Sequence, residues 1–185
     1  MSFRINPRSD AWGAPLVPMP DAPRWWVTAL ALAAALLLQS ETGPLLAVRG
    51  AAPGFVLLFV LWYGLRTDML GGFFVGTLAG ACEDALAGWT GVAWMLSTAA
   101  VGLLSGRSAG TVVTESRLWL VPYAALATLL RFGLFALVLR VEGHLMPLPV
   151  AHLHQALWQA ALNALLTYAA LTFVPRLRVS RVGLR

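Results

Sequence analysis

The sequence is poor in charged residues. Only 11% of its 185 residues are Asp, Glu, Lys or Arg, and because no lysine occurs, all 13 basic residues are arginines. A soluble domain carries about a quarter charged residues, whereas here 59% of the residues are hydrophobic and the mean hydropathy is +0.75. The low charge excludes an ordinary water-soluble domain and predicts one domain that is folded in a lipid bilayer.

Cysteine and catalytic motifs are equally scarce. Cys82 is the only cysteine, which excludes an intramolecular disulfide and a CxxC motif. The sequence holds no HExxH and no P-loop, and no carboxylates are paired across a plausible cleft. His152 and His154 form an HxH pair without a suitably spaced third ligand. We therefore predict no enzyme activity, no catalytic residue, no metal site and no cofactor.

Six apolar stretches follow a polar, proline-rich segment. We interpret residues 1–24 as a flexible cytoplasmic tail, residues 25–175 as a transmembrane domain and residues 176–185 as an Arg-rich cytoplasmic tail. The predicted spans are residues 25–48, 51–65, 69–89, 91–105, 118–141 and 152–174. The second and fourth are shorter than the roughly 20 residues that a membrane-spanning helix needs. A cleaved signal peptide is the alternative for the first stretch, but that stretch is long and begins late.

The arginines give an independent prediction of topology, because positive residues are enriched on the cytoplasmic side of a membrane. With six spans and a cytoplasmic N-terminus, the cytoplasmic segments hold Arg4, Arg8, Arg24, Arg66, Arg107, Arg117, Arg176, Arg178, Arg181 and Arg185. The outside segments hold Arg49 and Arg140, and Arg131 lies within the fifth span. Since the arginines are scattered singly, they do not indicate nucleic-acid binding. We predict a multi-pass protein with both termini in the cytoplasm.

Small residues and one carboxylate recur at every fourth position of the third span. They are Gly72, Gly76, Gly80, Asp84 and Gly88. Four residues turn an α-helix by about 400°, so these positions stay largely on one face, and glycines on such a face allow close approach of a second helix. The fourth span carries Thr98, Gly102 and Gly106 at the same spacing. The pattern predicts either a tight helix pair within the fold or a face that docks a partner subunit.

Three charged residues stand out within the predicted spans. Glu83 and Asp84 lie near one end of the third span, and Arg131 lies within the fifth. Charges at such depth are costly unless they face protein or water. Arg131 is therefore the candidate counter-charge for the two carboxylates; a capped helix end, a ligand or proton site and a partner contact are the alternatives. Gln159 and Asn163, one turn apart, are expected to bond to a neighbouring helix.

Residues 53–58 (PGFVLL), 63–66 (YGLR) and 71–84 (GGFFVGTLAGACED) together resemble the rod-shape-determining protein MreD family. That family shows a proline that opens an aliphatic helix, a short turn, and a helix of the form GxxxGxxxD followed by a small-residue loop and a glycine. The matching positions are Pro53, Gly76, Gly80, Asp84, Gly88 and Gly91. Gly102, Gly106 and Arg107 resemble the family's GxxxGR helix end, whereas Gly54 stands where the family often has Asp.

The resemblance implies a non-enzymatic component of the lateral wall-synthesis machinery in the bacterial inner membrane. Such a protein pairs with the bitopic protein MreC, is linked to the actin-like filament MreB, and acts through them with the glycosyltransferase RodA and its partner transpeptidase. The implied fold is an all-α bundle of six transmembrane helices, like the substrate-binding subunits of energy-coupling-factor vitamin transporters. A vitamin-capturing subunit is therefore the rival function. Its candidate ligand-binding residues are Glu83, Asp84, Trp94, Arg131, Gln159 and Asn163.

Overall fold

The computed structural model describes residues 24–42, 45–88, 90–115, 117–143 and 150–173. This part of the chain contains α1 (Trp25–Thr42), α2 (Phe55–Gly64), α3 (Met69–Ala87), α4 (Ala93–Glu115), α5 (Leu120–Val141) and α6 (Val150–Phe173), with a 3-10 turn at Arg117–Trp119. The predicted all-α class is confirmed. Apart from Arg24, both predicted tails, residues 1–24 and 176–185, lie outside the described residues.

Three helices of the described chain are long and apolar enough to cross a membrane. They are Met69–Ala87, Leu120–Val141 and the His152–Phe173 part of α6. Large apolar side chains on these helices point away from the bundle: Phe74, Leu78, Leu86, Leu126, Leu137, Leu153 and Leu165. A surface of this kind is unsuited to water. Helix length and surface together indicate a membrane protein.

Two helices differ in length from the predicted spans. α2 has ten residues, about 15 Å, which is half of a hydrocarbon core. α4 has 23 residues, so the helix continues ten residues beyond the predicted fourth span, residues 91–105. That prediction ended where polar residues begin, but Ser105 and Ser108 donate their hydroxyls to carbonyls four residues earlier in α4. Such bonds satisfy polar side chains without ending a helix.

The short helix α2 stands at the centre of the bundle. It packs against α1, α3, α4, α5 and α6, and the most extensive contact between two neighbours joins α3 to α4. The side chains of Val56, Leu57 and Val60 are completely buried. Because α2 is surrounded by other helices, its ten residues are apolar throughout, with no charged residue among them.

Successive helices run in opposite directions. Gln39 near the end of α1 contacts the backbone of Val56 at the start of α2. Trp94 at the start of α4 stacks on Phe135 in the second half of α5, with ring centroids 3.9 Å apart, and Phe135 stacks on His152 at the start of α6. We call this the upper end of the bundle: α1, α3 and α5 finish there, and α2, α4 and α6 begin there.

Candidate functional site

A buried ion pair lies in the upper half of the bundle. A terminal guanidinium nitrogen of Arg131 donates to Glu83 Oε2, and the side chains of these residues are 2% and 8% exposed. Arg131 Nε donates to Thr98 Oγ1 at 2.9 Å, and the guanidinium carbon lies 4.3 Å from the centroid of the Trp94 ring. The cation is thus surrounded by a carboxylate, a hydroxyl and an aromatic face, which together offset the cost of burying it.

The second carboxylate oxygen of Glu83 connects this pair to α1 and α2. Gln39 Nε2 donates to Glu83 Oε1 at 2.8 Å. The carbonyl oxygen of the same amide, Gln39 Oε1, accepts from the backbone N–H of Val56 at 3.1 Å. Because the first N–H groups of a helix have no partner within it, Gln39 supplies an acceptor that α2 needs.

Side-chain amides of α6 bond to the backbone of residues 52–54, which lead into α2. Gly54 provides no side-chain cap, and its N–H donates to Asn163 Oδ1 at 2.8 Å. Asn163 Nδ2 donates to Thr128 Oγ1 at 2.9 Å, while Gln159 Nε2 donates to the Ala52 carbonyl at 2.8 Å. A Cβ at position 54 would lie 3.1 Å from Asn163 Nδ2. Glycine at this position therefore leaves room for the Asn163 side chain.

Asp84 has a different role from Glu83, its neighbour in sequence. Its Oδ1 accepts from Thr90 Oγ1 at 2.6 Å and from the N–H of Trp94 at 3.1 Å, and its Oδ2 accepts from the N–H of Met95 at 2.8 Å. A carboxylate at this place satisfies free N–H groups and lies at the positive end of the α4 dipole. Of the two carboxylates proposed as partners of Arg131, Glu83 forms the pair, and Asp84 caps α4.

The glycine stripe is the contact surface between α3 and α4. A Cβ at Gly76 would lie 2.5 Å from the carbonyl oxygen of Thr98. Gly72 and Gly102 each lie against the other's carbonyl, and Gly80 lies against the backbone of Trp94. Only glycine allows two backbones to approach this closely. Since α4 covers Gly72, Gly76 and Gly80, these positions cannot also dock a partner subunit.

The remaining predicted positions lie at turns and helix ends. Gly88 is exposed and ends α3 in the left-handed region (φ 72°), so it is a helix terminator and not the last member of the packed stripe. Gly91 also has a positive φ, 59°, and lies beside the Glu142 carboxylate. Pro53 is buried just before α2, and Arg107 is exposed on α4. Gly106 packs against the backbone of Asp68 and Met69.

Several residues of this centre were not singled out by sequence reasoning as polar partners. Gln39 bridges three helices, and Thr90, Thr98 and Thr128 bond to Asp84, Arg131 and Asn163 respectively. Gln39 gave a usable signal, because it is the first strongly polar side chain after the long apolar run of α1. The threonines gave a weaker one, since threonine in an apolar helix commonly bonds to its own backbone.

The arrangement holds helices together rather than presenting free groups to a ligand. The described residues contain no cluster of three His, Cys, Asp or Glu side chains able to hold a metal ion. An open groove of about 440 Å³ runs beside Asp84 and is lined mostly by small or apolar residues: Ala81, Ala85, Gly88, Gly91, Val92 and Met95. Both oxygens of Asp84 are already bonded to protein groups.

Fold and site define a helical membrane bundle with a polar centre bonded to itself. Comparisons with protein-family models, with curated proteins and with solved structures find no match.

Proposed function

We propose that this chain is a non-enzymatic membrane scaffold of the bacterial wall-elongation machinery, of the MreD type, and that it pairs with MreC. Through that pair it is linked to MreB and acts with RodA and its partner transpeptidase. It lies in the cytoplasmic membrane with six passes and with both termini in the cytoplasm. Direct support for the family comes from the residues that resemble it, between positions 53 and 107.

The observation that carries the proposal is the mutual bonding of the buried polar groups. Glu83, Asp84, Arg131 and Asn163 each bond to other groups of this chain. A subunit that captures a vitamin needs convergent polar groups that are available to the ligand. A centre in which these groups bond to one another favours a scaffold over the rival transport function.

The structure also gives physical reasons for the residue types on which the resemblance depends. Gly76 and Gly80 are required by the backbone of α4, which a Cβ would strike. Asp84 is required by the free N–H groups at the start of α4. A GxxxGxxxD helix followed by a tight turn is therefore a unit that builds one helix pair, which supports reading the motif as a whole.

The six-pass topology is supported by the way in which residues 51–64 traverse the bundle. α2 covers about 15 Å, and the four preceding residues, which are not helical, add up to about 13 Å when extended. Together they approach the roughly 30 Å of a hydrocarbon core. Non-helical backbone at such depth requires partners from protein, and Gln159 and Asn163 bond to Ala52 and Gly54.

The distribution of arginines supports a cytoplasmic lower end. Four described arginines lie toward that end, since Arg24 precedes α1, Arg66 follows α2, Arg107 lies in the second half of α4 and Arg117 precedes α5. Arg49 and Arg140 lie at the upper end, where the Arg49 guanidinium covers the Trp158 ring at 4.9 Å from its centroid. A cation on an indole is a common arrangement at a membrane interface.

Affinity purification of the full-length tagged chain from its native membrane, after mild crosslinking, tests the proposal. We expect MreC to be enriched and the cells to lose their rod shape when the chain is depleted. Gly133→Ala serves as a control variant, because a Cβ at Gly133 on α5 meets nothing within 4 Å. This variant should still enrich MreC and should still support rod shape. Dependence of vitamin uptake on this chain, together with unchanged cell shape on depletion, would favour the transport function instead.

A further inference from the structure

Helix α1 is attached to the bundle differently from the other helices. Among the described helices, α1 makes its extensive contact with α2 alone, whereas each of the other five packs against at least two neighbours. Thr28, Leu32 and Ala35 are its buried residues. Leu30 and Leu37 point outward and are 63% and 64% exposed. α1 therefore lies on one side of the bundle, with most of its surface uncovered by the other described helices.

One side chain makes the described polar contact between α1 and the rest of the bundle. Gln39 bonds to Val56 N and to Glu83 Oε1. The hydroxyls of Thr28, Ser40 and Thr42, by contrast, donate to carbonyls within α1 or directly before it. Two hydrogen bonds from a single amide thus fasten α1 at its upper end.

The bonds that hold the other five helices together do not involve α1. Glu83 binds Arg131 through its other oxygen, Gly54 N donates to Asn163, and Asp84 caps α4. The α3–α4 backbone contact is likewise independent of α1. If α1 left its position, the backbone N–H of Val56 would lose its acceptor, Gln39 Oε1.

We propose that α1 is a movable cover that can swing away as a unit while α2 to α6 stay assembled. The surface beneath it is an apolar groove on α2 and α3, formed by the completely buried Val56, Val60 and Ala79 and by the partly buried Phe55 and Phe59. At its upper end the groove presents one donor, Val56 N, and one acceptor, Glu83 Oε1. An apolar helix with one suitably placed carboxamide matches this groove. α1 is such a helix, and Gln39 supplies the carboxamide.

Distances between spin labels in the full chain, reconstituted in lipid nanodiscs, test this proposal. One pair of labels is placed at Leu37 on α1 and Leu78 on α3, and the reference pair at Leu78 and Leu126 on α5; all three positions are more than half exposed. Cys82 is the only native cysteine and is first replaced by Ser. Gln39→Leu removes the fastening amide, and Ser40→Leu adds the same side chain one residue away, where the native hydroxyl bonds only within α1.

We expect Gln39→Leu to enlarge a longer-distance population of the α1–α3 pair about eightfold, the change that corresponds to losing two interhelical hydrogen bonds. Ser40→Leu should leave that population unchanged, and the α3–α5 distance should stay single and narrow in every variant. If Gln39→Leu and Ser40→Leu gave the same α1–α3 distribution, α1 would be a fixed wall and the proposal would fail. Equal broadening of both label pairs would also overturn it, since it would mean that the whole bundle loosens.

Discussion

The α3–α4 contact and the polar centre around the start of α2 hold helices together by opposite means. Between α3 and α4, glycines remove the side chains so that backbone meets backbone at Gly72, Gly76 and Gly102. Around α2, long side chains reach between helices, and Gln39 and Asn163 supply acceptors for backbone N–H groups. The first contact depends on shape, and an added side chain disrupts it. The second depends on polarity, and a polar group left without a partner disrupts it.

The comparison has a general lesson for helices in lipid. Lipid tails are as apolar as leucine, so burial of apolar surface gives little drive for helix association there. Close packing and hydrogen bonding remain, and α3 uses both: its glycines pack against the backbone of α4, and its Glu83 bonds to Gln39 and Arg131. Substitutions that only add side-chain volume should therefore destabilise the α3–α4 contact. Substitutions that only remove a polar group should destabilise the polar centre.

The largest effect is expected when the ion pair is broken on one side only. Arg131→Leu leaves the Glu83 carboxylate buried with Gln39 as its remaining partner, and loss of one member of a buried pair costs about 3–5 kcal/mol. The double variant Glu83→Leu/Arg131→Leu leaves neither charge of this pair buried and should lose less stability than the single variant. Reversible unfolding in mixed micelles measures both. A double variant no more stable than Arg131→Leu would show that the charges themselves contribute little.

Volume added to the glycine contact should have the next largest effect. Gly76→Leu drives a side chain into the Thr98 carbonyl, and we expect a loss of about 1–3 kcal/mol or more. The same substitution at Gly133, where a Cβ meets nothing within 4 Å, should change stability by less than about 0.5 kcal/mol. The two free energies of unfolding are compared directly. Similar losses at both positions would contradict a specific backbone contact at Gly76.

A smaller loss is expected from removal of the α4 cap. Asp84→Ala takes the acceptor away from the N–H groups of Trp94 and Met95, and loss of a helix cap costs about 0.5–2 kcal/mol. Asp84→Asn keeps one carbonyl oxygen and should retain much of the stability. Hydrogen exchange of the first turn of α4 reports the effect locally. Unchanged exchange there in Asp84→Ala would argue against capping as the role of this residue.

The smallest effect is expected at the edge of the polar centre. Gln159→Leu removes a single bond to the Ala52 carbonyl, and an interhelical hydrogen bond contributes about 0.6 kcal/mol. Gln155→Leu is the matched control, because Gln155 lies one turn earlier on α6 and is exposed. Thermal unfolding of the two variants should differ by this small amount, with the Gln159 variant the less stable.

The sequence predicted the regular parts of this molecule well. Glycines at every fourth position indicate a face of α3 directly, and Gly102 and Gly106 indicate the matching face of α4, since both signals depend only on helical periodicity. The helix ends were harder. α4 continues ten residues beyond its predicted end at Ser105, because its hydroxyls bond to its own backbone and hydropathy does not register such bonds.

The polar contacts could be predicted only as a set of candidates. Glu83 and Asp84 are adjacent, so they lie about 100° apart around α3, and one faces Arg131 while the other faces the start of α4. Nothing in their spacing to Arg131 distinguishes the two. Gln39 lies 44 residues from Glu83, and only the central position of α2 brings these side chains together.

The capping of α4 by Asp84 has a consequence for how this contact can change during evolution. The carboxylate binds backbone N–H groups at positions 94 and 95, and every amino acid except proline carries that group. This hydrogen bond therefore sets no requirement on the side chain at position 95, whereas it depends on the carboxylate at position 84. Methods that find contacts from correlated substitutions would detect no signal between them, although the two residues are bonded at 2.8 Å.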